Sequence, residues 1–406
     1  MDFTKNGKIK GSASACHWAK KRGENTSVTD TRYKVGISRC TGYNREKTAA
    51  AVEEAVHRAG GLDIEGKRVL LKPNILRDAD PGRAITTHPE ILRSVIRVCS
   101  ARGASEILVG DSPGFAPGGF SGRKSSLRQV VEDEGARWVD FHSEKTVREV
   151  PDPLRERVFH VTSVLDSVDA VISLPKLKTH TLMYYTGAVK NLFGLIPGLA
   201  KPPFHVRYPG REEFGEMLID LAEAVKPHYA IMDGIVAMEG AGPGNGNPRA
   251  TGVVAASPSC LALDIALCRI IGYDPLTVPT NRIGLAKERN REEGLKSAED
   301  IRLVGASLEE LRIENFELIG KGEFSRFWRV VTRNPLLRKV EVKLRKKPVF
   351  NHEKCIHCGE CVNICAAGAL SMIKVEGKRR IRVDYSRCIR CYCCHEICPA
   401  DAIRIG

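Results

Sequence analysis

From Tyr33 to about Gly320 the chain alternates between short apolar runs and longer stretches in which apolar residues recur every three or four positions. Short β-branched runs predict strands, and the wider period predicts helices. The predicted strands are 34–38, 68–72, 105–110, 168–174, 228–233, 251–256 and 301–304. The predicted helices are 45–59, 89–102, 125–134, 212–225, 259–271 and 281–289. This alternation predicts an α/β fold with a largely parallel sheet and flanking helices.

Four segments of different character divide the chain. They are a basic N-terminal extension (1–32), the α/β domain (33–320), a basic linker (321–350) and a small C-terminal domain (351–406). Two segments within the α/β domain, 112–124 and 196–211, are rich in Gly and Pro. They are predicted to be loops, and long loops of this kind often border an active site.

The C-terminal domain contains two copies of one cysteine motif. The copies are Cys355-x2-Cys358-x2-Cys361-x3-Cys365 and Cys388-x2-Cys391-x2-Cys394-x3-Cys398. We expect one short helix in each copy, beginning at its fourth cysteine. The segment between the copies, 371–386, predicts two short strands around a turn at Gly377. These elements predict a small α+β ferredoxin-like domain.

This cysteine spacing is typical of bacterial two-cluster ferredoxins. Three thiolates at intervals of three residues face three irons of one cubane, and the fourth ligates the other cubane. We therefore predict two 4Fe-4S clusters. Their ligands are Cys355, Cys358, Cys361 and Cys398 for one cluster, and Cys388, Cys391, Cys394 and Cys365 for the other. A zinc ribbon needs only four ligands, so two identical runs of four favour iron–sulfur clusters. Cys393 is an additional thiol in the second copy.

The net charge of +14 raises the question of nucleic-acid binding. Ten Lys and Arg against two Glu lie in 321–350, a net of +8, so most of the excess is confined to the linker. No nucleic-acid-binding motif accompanies it. A basic linker is more often a solvated spacer or a docking surface for an acidic partner. We therefore expect no nucleic-acid partner.

The cellular location is predicted from what the sequence lacks. No apolar run reaches the roughly 18 residues that a membrane span needs, and the polar N-terminus has no apolar signal core. We expect a cytoplasmic protein with no transmembrane segment. Nine of the 14 cysteines lie between Cys355 and Cys398. In such a chain this density favours metal ligation over disulfides.

Polar residues follow four of the predicted strands. Lys72 and Asn74 follow strand residues 68–71, and Asp111 follows strand 105–110. Asp233 follows strand 228–233, and the LPKLKTH segment follows strand 168–174. Ligands of open α/β sheets bind at the carboxyl edge of the strands, so these ends predict one shared site. Its lysines suit a small anionic substrate, a carboxylate or a phosphate.

Lys176, Lys178 and His180 are the predicted catalytic residues of this site. If the segment stays extended, these alternate residues point to the same side. Crowding of positive charge then lowers the pKa of a lysine, so that it can act as a base, and histidine can shuttle a proton. The predicted substrate-binding residues are Lys72, Asn74, His88, Asp111, Lys190, Asn191 and Asp233.

Six motifs occur in order along the α/β domain. They are VLLKPNI (69–75), TTHP (86–89), GDSPG (110–114), LPKLKTH (174–180), TGAVKNLFG (186–194) and IMDGIVAMEGAGPGNGNP (231–248). This set resembles domain-of-unknown-function family 362, whose members often end in a ferredoxin module. The resemblance covers residues 33 to about 290. It implies homology and a common fold, but no particular reaction.

Three functions are compatible with this sequence. The first is an oxidoreductase, in which the ferredoxin domain exchanges electrons between a small anionic substrate and a redox partner protein or small electron carrier. The second is an electron-transfer or docking subunit without chemistry of its own. The third is a non-redox proton-transfer enzyme of the racemase or lyase type, with Lys178 or His180 as base. A requirement for reductant distinguishes the first from the third, and a complex without turnover indicates the second.

Overall fold

A computed structural model of the chain describes residues 32–114, 120, 122–142, 144–320, 340 and 342–406. The predicted N-terminal extension lies outside the described residues except for Arg32. Most of the predicted linker 321–350 and the middle of the predicted loop 112–124 also lie outside them.

The strands are numbered in chain order. They are β1 Lys34–Arg39, β2 Arg68–Pro73, β3 Glu106–Val109, β4 Arg137–Trp138, β5 Lys145–Glu149, β6 Val158–Thr162, β7 Ala170–Leu174, β8 Lys176–His180, β9 Tyr184–Thr186, β10 Tyr229–Glu239, β11 Asn247–Ser257, β12 Arg302–Val304, β13 Pro348–Phe350, β14 Leu370–Val375, β15 Lys378–Val383 and β16 Ile403–Ile405.

The central sheet has the order β12-β1-β11-β10-β7-β2-β3-β4, with β8 paired to β10 and β9. The neighbours from β10 to β4 run parallel, whereas β11 is antiparallel to both of its neighbours. The register aligns Leu71 with Ile172 and Val109. The predicted α/β class is therefore confirmed. The carboxyl ends of β10, β7, β2 and β3 lie side by side, so polar residues there can meet at one edge.

Helices cover both faces of this sheet, and two more belong to the C-terminal domain. Those of the α/β domain are α1 Arg45–Arg58, α2 Pro89–Ala101, α3 Leu127–Asp133, α4 Ala188–Asn191, α5 Pro202–Arg207, α6 Arg211–Val225, α7 Cys260–Ile270, α8 Pro279–Arg289 and α9 Leu308–Leu311. Those of the C-terminal domain are α10 Glu360–Asn363 and α11 Cys393–Ile397. α1, α2 and α3 pack on one face, against Val69 and Leu71 of β2. α6, α7 and α8 pack on the other, where Leu70 points. This alternation along β2 buries the strand on both sides, as a parallel sheet requires.

Most predicted elements of the α/β domain lie within two residues of the observed ones, and the exceptions have physical causes. β10 and β11 are longer than predicted, because a register shift between Gly234 and Val236 lets the hairpin continue past the expected end. Asp233 therefore lies inside a strand and not beyond it. The predicted loop 196–211 contains α5, which begins with two prolines at positions that need no N–H donor. The hairpin of β5 and β6, which buries Phe159 and Val161 on one face, was not predicted.

The ferredoxin domain, residues 348–406, consists of two strand pairs and two short helices. β14 and β15 form the predicted hairpin, with Gly377 at positive φ in its turn. β13 pairs with β16, so the last residues of the predicted linker belong to this fold. The prediction that each helix begins at the fourth cysteine is wrong, because α10 and α11 end before it. Pro399 disfavours helical geometry at Cys398, which is extended.

The described residues belong to one compact unit, in which the ferredoxin domain packs against the carboxyl edge of the sheet. Arg77, in the loop after β2, donates hydrogen bonds to the carbonyl oxygens of Glu396 (2.9 Å) and Gly244 (3.1 Å). Asp401 pairs with Arg77 and with Arg83, at 3.4 and 2.8 Å. These contacts fix the ferredoxin domain over the strand ends. Within the described ranges, no helix has the length and apolar character needed to cross a membrane.

Candidate functional site

A cavity of about 110 Å³ lies between the α/β domain and the ferredoxin domain. We call it the interdomain cavity. Its polar lining from the α/β domain consists of Lys72, Asn74, Asp111, Ser112, Thr186, Lys190, Asn191, Lys201 and His205. Its lining from the ferredoxin domain consists of Ile364, Cys393, Glu396 and Ile397. Five of the seven predicted substrate-binding residues therefore meet in one place.

Lys72 and Asp111 form a buried ion pair at the wall of the cavity. The Lys72 Nζ atom lies 2.7 Å from Asp111 Oδ1, and neither side chain is more than marginally exposed. Burial lowers the pKa of the Lys72 ammonium, while the Asp111 charge opposes that effect. The Asp111 carboxylate also accepts hydrogen bonds from the backbone N–H groups of Ile75 (2.7 Å) and Ser112 (2.8 Å). These bonds hold the pair rigidly where β2 and β3 end.

The backbone at Gly194 approaches the ion pair closely, and this approach makes the wall of the cavity possible. A Cβ atom on Gly194 would lie 2.0 Å from Asp111 Oδ1 and 2.6 Å from Lys72 Nζ. Asn191 completes the wall, since its Nδ2 group donates to the Lys72 carbonyl oxygen at 3.0 Å. Only glycine fits at position 194, because any larger residue would overlap the ion pair.

The short helix α4 carries Lys190 to the cavity. A four-residue helix has little stability of its own, and a buried carboxylate holds its first turn. Asp264 of α7 accepts hydrogen bonds from the backbone N–H groups of Ala188 (2.6 Å) and Val189 (3.0 Å). Burial raises the pKa of Asp264 to about 7, although these two bonds act in the opposite direction. Asp264 therefore positions the helix and does not reach the cavity.

Lys190 differs from the other lysines of the site. Its ammonium makes no hydrogen bond or ion pair with any residue that the structure describes, whereas Lys72 is neutralised by Asp111. Removal from bulk water lowers the pKa of Lys190, and Glu396 and Cys393 act to raise it. A cation in this position is available to an anionic ligand.

Three buried polar atoms around the cavity have no hydrogen-bond partner among the described residues. They are Asn74 Oδ1, Thr186 Oγ1 and His205 Nδ1. More than nine in ten buried polar groups in native proteins are hydrogen-bonded. Three such atoms around one cavity therefore indicate a place for a polar ligand or ordered water.

Lys201 and His205 were not predicted as site residues. The Lys201 Nζ atom donates to the carbonyl oxygens of Ser112 and Ile196. Burial lowers its pKa to about 7. Burial also lowers the pKa of His205 to about 3, and the ring stacks on Phe214 at 4.3 Å. Both residues lie in segment 196–211. Its richness in Gly and Pro was the sequence feature that could have indicated that they belong to a site.

Lys176 and Asp233 form a second buried cluster, away from the cavity. Lys176 Nζ donates to Asp233 Oδ2 at 2.8 Å and to the Tyr43 hydroxyl at 2.7 Å. The backbone N–H of His88 donates to Asp233 Oδ2 at 2.8 Å, and the His88 ring stacks on Tyr43. The Lys176 ammonium, the Tyr43 hydroxyl and the Asp233 carboxylate are therefore all hydrogen-bonded within this cluster. His88 and Asp233 are therefore separated from the other predicted substrate-binding residues.

Lys178 and His180 lie on β8, one layer behind the cavity. Both are about 1% exposed. Lys178 donates to the Ile85 carbonyl oxygen at 2.7 Å. Its pKa lies well below the usual value, chiefly through burial and then through the Lys190 and Lys176 charges. The predicted crowding is thus present, but burial is the larger cause.

His180 reaches the ferredoxin domain through one ring nitrogen. Its Nδ1 atom accepts hydrogen bonds from the backbone N–H groups of Leu182 (3.1 Å) and Met183 (3.2 Å). The ring proton therefore belongs on Nε2, which lies 3.3 Å from Glu396 Oε1. Burial raises the pKa of Glu396 to about 7, and the Lys190 and Lys178 charges act to lower it. Glu396 was not predicted, although it differs from Asn363 at the matching position of the first repeat.

The cysteines of the ferredoxin domain fall into two neighbouring sets. Cys355, Cys358, Cys361 and Cys398, the first cysteine set, line one small cavity. The second cysteine set is Cys388, Cys391, Cys394 and Cys365. The charges that act on Cys394 are those of Cys391, Cys388 and Cys365 from this set and of Cys361 from the first set, so the two sets adjoin. Each predicted set combines the first three cysteines of one repeat with the fourth cysteine of the other repeat. Which sulfurs bind iron stays a prediction. Among the described residues, no group of three or more His, Cys, Asp or Glu is arranged to hold a metal ion directly.

Cys393 lines the interdomain cavity and is not an isolated extra thiol. Its side chain lies beside that of Cys391, a member of the second cysteine set. The second cysteine set is thereby connected to the cavity through one side chain.

A larger cavity of about 780 Å³ lies beside Arg211, Tyr392 and His395. Its lining includes Gly320 and Leu344, on either side of residues 321–339, which lie outside the described residues. The buried charges and unpartnered atoms described above belong to the smaller cavity.

Comparison with known proteins identifies both parts of the chain. The domain of unknown function DUF362 matches residues 69–269, and a 4Fe-4S dicluster domain matches residues 349–405. A thylakoid-associated protein of Synechocystis sp. is 34% identical over 262 residues, which are 62% of this chain and 79% of that protein. The chain belongs to the DUF362 family. Its C-terminal domain makes this DUF362 protein an iron–sulfur protein.

Two solved structures show weak similarity to the DUF362 protein. A crystal structure of a Thermotoga maritima protein is 14% identical, with a TM-score of 0.33, over 51% of this chain and 54% of that one. The lactate racemase apoprotein of Thermoanaerobacterium thermosaccharolyticum is 12% identical, with a TM-score of 0.34, over 58% of this chain and 57% of that one. The chain spans little more than half of each structure, and similarity this weak supports no conclusion about activity.

Proposed function

We propose that this DUF362 protein is an oxidoreductase with two 4Fe-4S clusters, which exchanges electrons with a small anionic substrate in the interdomain cavity. One observation carries the proposal. The cavity contains the ammonium of Lys190, which has no partner among the residues that the structure describes, and is also lined by Cys393, which directly precedes the predicted ligand Cys394. When bound, 4Fe-4S clusters supply or accept single electrons. A ligand in this cavity would lie next to the second cysteine set.

The charges of the cavity support an anionic substrate. Lys72 is neutralised by Asp111, and Lys201 is solvated by backbone carbonyl oxygens. Lys190 is left to balance a carboxylate or another oxyanion. A charged hydrogen bond to such a group contributes about 1.5–3 kcal/mol.

The size of the cavity supports a small substrate. Its volume of about 110 Å³ is well below the roughly 300 Å³ at which sites for drug-sized ligands begin. Asn74 Oδ1, Thr186 Oγ1 and His205 Nδ1 would hold its further polar groups, because each lacks a partner among the described residues. Asn74 is already oriented, since its Nδ2 group donates to Asn191 Oδ1 at 3.3 Å.

We assign different tasks to the predicted residues. Lys190 binds the anion, while Lys72 and Asp111 shape the wall. Lys190 and Lys201 line the cavity and are assigned as proton donors to a bound ligand, because a reduction consumes protons as well as electrons. His180 orients the Glu396 side chain through its Nε2–H group, because its other nitrogen is occupied by backbone donors. Lys176, Lys178, His88 and Asp233 support the layer behind the cavity.

The location of the protein is a separate proposal. We expect it in the cytoplasm, and the thylakoid association of the Synechocystis relative makes a membrane surface the alternative.

Reductant-dependent turnover tests the proposed function. Anaerobically purified protein with about eight irons would be supplied with chemically reduced viologen and a panel of small organic acids. We expect one or more acids to be consumed together with reductant, and the Cys388→Ser variant to lose this turnover. Turnover that persists without reductant, or in Cys388→Ser, would favour the racemase or lyase type. Two intact clusters with no turnover of any acid would favour the electron-transfer or docking subunit.

A further inference from the structure

A serine, a histidine and an aspartate form a hydrogen-bonded row at one wall of the interdomain cavity. The Ser112 Oγ atom lies 3.3 Å from His142 Nε2, and His142 Nδ1 lies 2.9 Å from Asp140 Oδ1. Ser112 lines the cavity, whereas His142 and Asp140 do not. We call these three residues the Ser–His–Asp row. None of them has a task in the proposed reaction.

The sheet topology brings the row together. Ser112 follows β3 and His142 follows β4, and these strands are parallel neighbours, so their carboxyl ends lie side by side. Gly110 lets the two segments approach, because a Cβ atom there would lie 2.5 Å from the Phe141 ring. Gly198 closes the other side, since its N–H group donates to Ser112 Oγ at 2.6 Å. The serine hydroxyl is therefore fixed beside the imidazole ring.

The partners of the imidazole ring determine where its protons lie. The Asp140 carboxylate accepts a hydrogen bond from the backbone N–H of His142 at 2.9 Å, and it faces the Nδ1 atom. A carboxylate only accepts, so a proton belongs on Nδ1. When the ring is neutral, Nε2 accepts the hydroxyl proton of Ser112. When the ring is cationic, Nε2 donates to the hydroxyl oxygen, and the hydroxyl proton can then point into the cavity.

The row leads from solvent to the cavity. The Asp140 side chain is 64% exposed and that of His142 is 37% exposed, whereas Ser112 is 2% exposed. Histidine gains and loses a proton near neutral pH, so an exposed imidazole can take one from water. At the inner end, the Lys201 Nζ atom donates to the Ser112 carbonyl oxygen. One end of the row thus meets bulk water and the other meets the cationic wall.

We propose that His142 and Ser112 form a proton path from solvent to the ligand in the interdomain cavity, with Asp140 as a positioning residue. The inference rests on the proposed function, because a reduction in the cavity consumes protons. A ligand that fills the cavity displaces its water, so protons then arrive through the wall. In each transfer the Ser112 hydroxyl proton passes to the ligand, and the hydroxyl oxygen takes the Nε2 proton of the cationic ring. The ring becomes neutral, and one proton from water restores its charge.

A serine, a histidine and an aspartate also form the nucleophilic triad of serine hydrolases. The segment GDSPG (110–114) even fits the G-x-S-x-G pattern of such serines. The geometry favours the proton path. The histidine of a hydrolase gives its proton to the leaving group, but His142 does not line the cavity. A serine of that pattern lies on a strained turn, whereas Ser112 has no positive φ. Acyl transfer is therefore an alternative outcome of the test.

The test follows the reoxidation of dithionite-reduced, full-length protein by an acid that supports turnover. We expect His142→Ala to react about 100-fold more slowly, as loss of a proton-transfer group typically causes. Added imidazole should restore much of this rate, because removal of an exposed ring leaves room for a small base. Ser112→Ala should also be slow, and imidazole should not restore it. His160→Ala, which removes an exposed histidine that does not line the cavity, should react as the wild type.

Ferricyanide separates proton transfer from electron transfer, because it takes up electrons without protons. Reoxidation by ferricyanide should have the same rate in all four proteins, and their iron contents should be equal. A wild-type rate of reoxidation by the acid in His142→Ala would overturn the proposal. A slow rate that imidazole does not change would overturn it as well.

Two further outcomes are informative. A burst of p-nitrophenol from p-nitrophenyl acetate, with an acetyl group found on Ser112, would overturn the proposal, since that result assigns the serine to acyl transfer. Failure of every acid to reoxidise the wild type would contradict the proposed function, and this inference with it. Reoxidation that does not depend on His142 would contradict this inference alone.

Discussion

The Nε2 atom of His180 lies 3.3 Å from the Oε1 atom of Glu396, and this contact joins the α/β domain to the ferredoxin domain. The His180 side chain is buried and the Glu396 side chain is 13% exposed. Glu396 lines the interdomain cavity. The contact places a polar group of the ferredoxin domain opposite the cationic wall of the other domain. The cavity therefore forms only when the two domains are packed together.

Substitution of His180 tests whether the ring positions Glu396. His180→Leu removes the N–H donor, and we expect turnover to fall by about a hundredfold, as misplacement of a site group can cause. His180→Gln keeps an N–H donor and should lose less. Turnover of both variants would be measured together with iron content, which should not change. Equal losses in the two variants would show that the imidazole ring itself is required.

Replacement of Cys393 tests its role beside the second cysteine set. Each set has four thiols without it, so Cys393→Ala should leave the iron content unchanged. The variant loses the thiol that lies beside the Cys391 sulfur. Polar groups beside cluster sulfurs favour the reduced state, so we expect one of two midpoint potentials to become more negative. A loss of iron in the variant would show that the ligand register is shifted by one residue.

The pH dependence of anion binding tests Lys201. Burial lowers its pKa from 10.5 to about 7, so the folded protein loses this positive charge near neutral pH. The affinity for a small carboxylate should fall between about pH 6 and pH 8. The unfolded chain keeps the proton up to the ordinary lysine pKa, so Lys201 makes the free energy of unfolding rise with pH over the same window and above it.

Calorimetric titration with the acid identified by the turnover screen checks this prediction. Lys201→Met should bind more weakly at low pH, and its affinity should change less with pH. An unchanged pH dependence in Lys201→Met would contradict the assignment.

Gly194 tests the close approach at the wall of the cavity. A methyl group there would overlap Asp111 and Lys72, so Gly194→Ala should destabilise the protein by about 1–3 kcal/mol and weaken ligand binding. Gly42→Ala is a matched control, because a Cβ atom at that position meets no atom within 4 Å. Thermal unfolding of the two variants gives the comparison. Equal stability would show that the wall has room for a side chain.

The sequence predicted the parts of the site that local pattern determines. The ends of the apolar strands can be read from the sequence without knowing the order of the strands in the sheet. They located Lys72 and Asp111, since polar residues directly follow apolar runs at both places. The cysteine spacing predicted the ferredoxin domain. The positions of Lys176 and Asp233 were harder, because β8 pairs with β10 and places these two residues opposite each other in a separate cluster.

The remaining features depend on contacts between residues that are distant in the sequence. Glu396 and Cys393 line the cavity because the ferredoxin domain packs on the sheet edge, and no periodicity encodes that packing. Asp264 holds α4 from another helix, which only the folded chain reveals. Lys201 was hidden in a segment predicted to be a loop. Its role depends on burial, and burial is a tertiary property.

Single-turnover reoxidation tests most directly whether electrons and substrate meet in the interdomain cavity. Dithionite-reduced protein would be mixed anaerobically with an acid that supports turnover, and the recovery of cluster absorbance would be followed. We predict that Lys190→Met slows this step by roughly 10- to 100-fold at subsaturating acid, whereas Lys145→Met, at an exposed position, reacts as the wild type. Equal reoxidation rates in wild type and Lys190→Met at every concentration of acid would contradict the account.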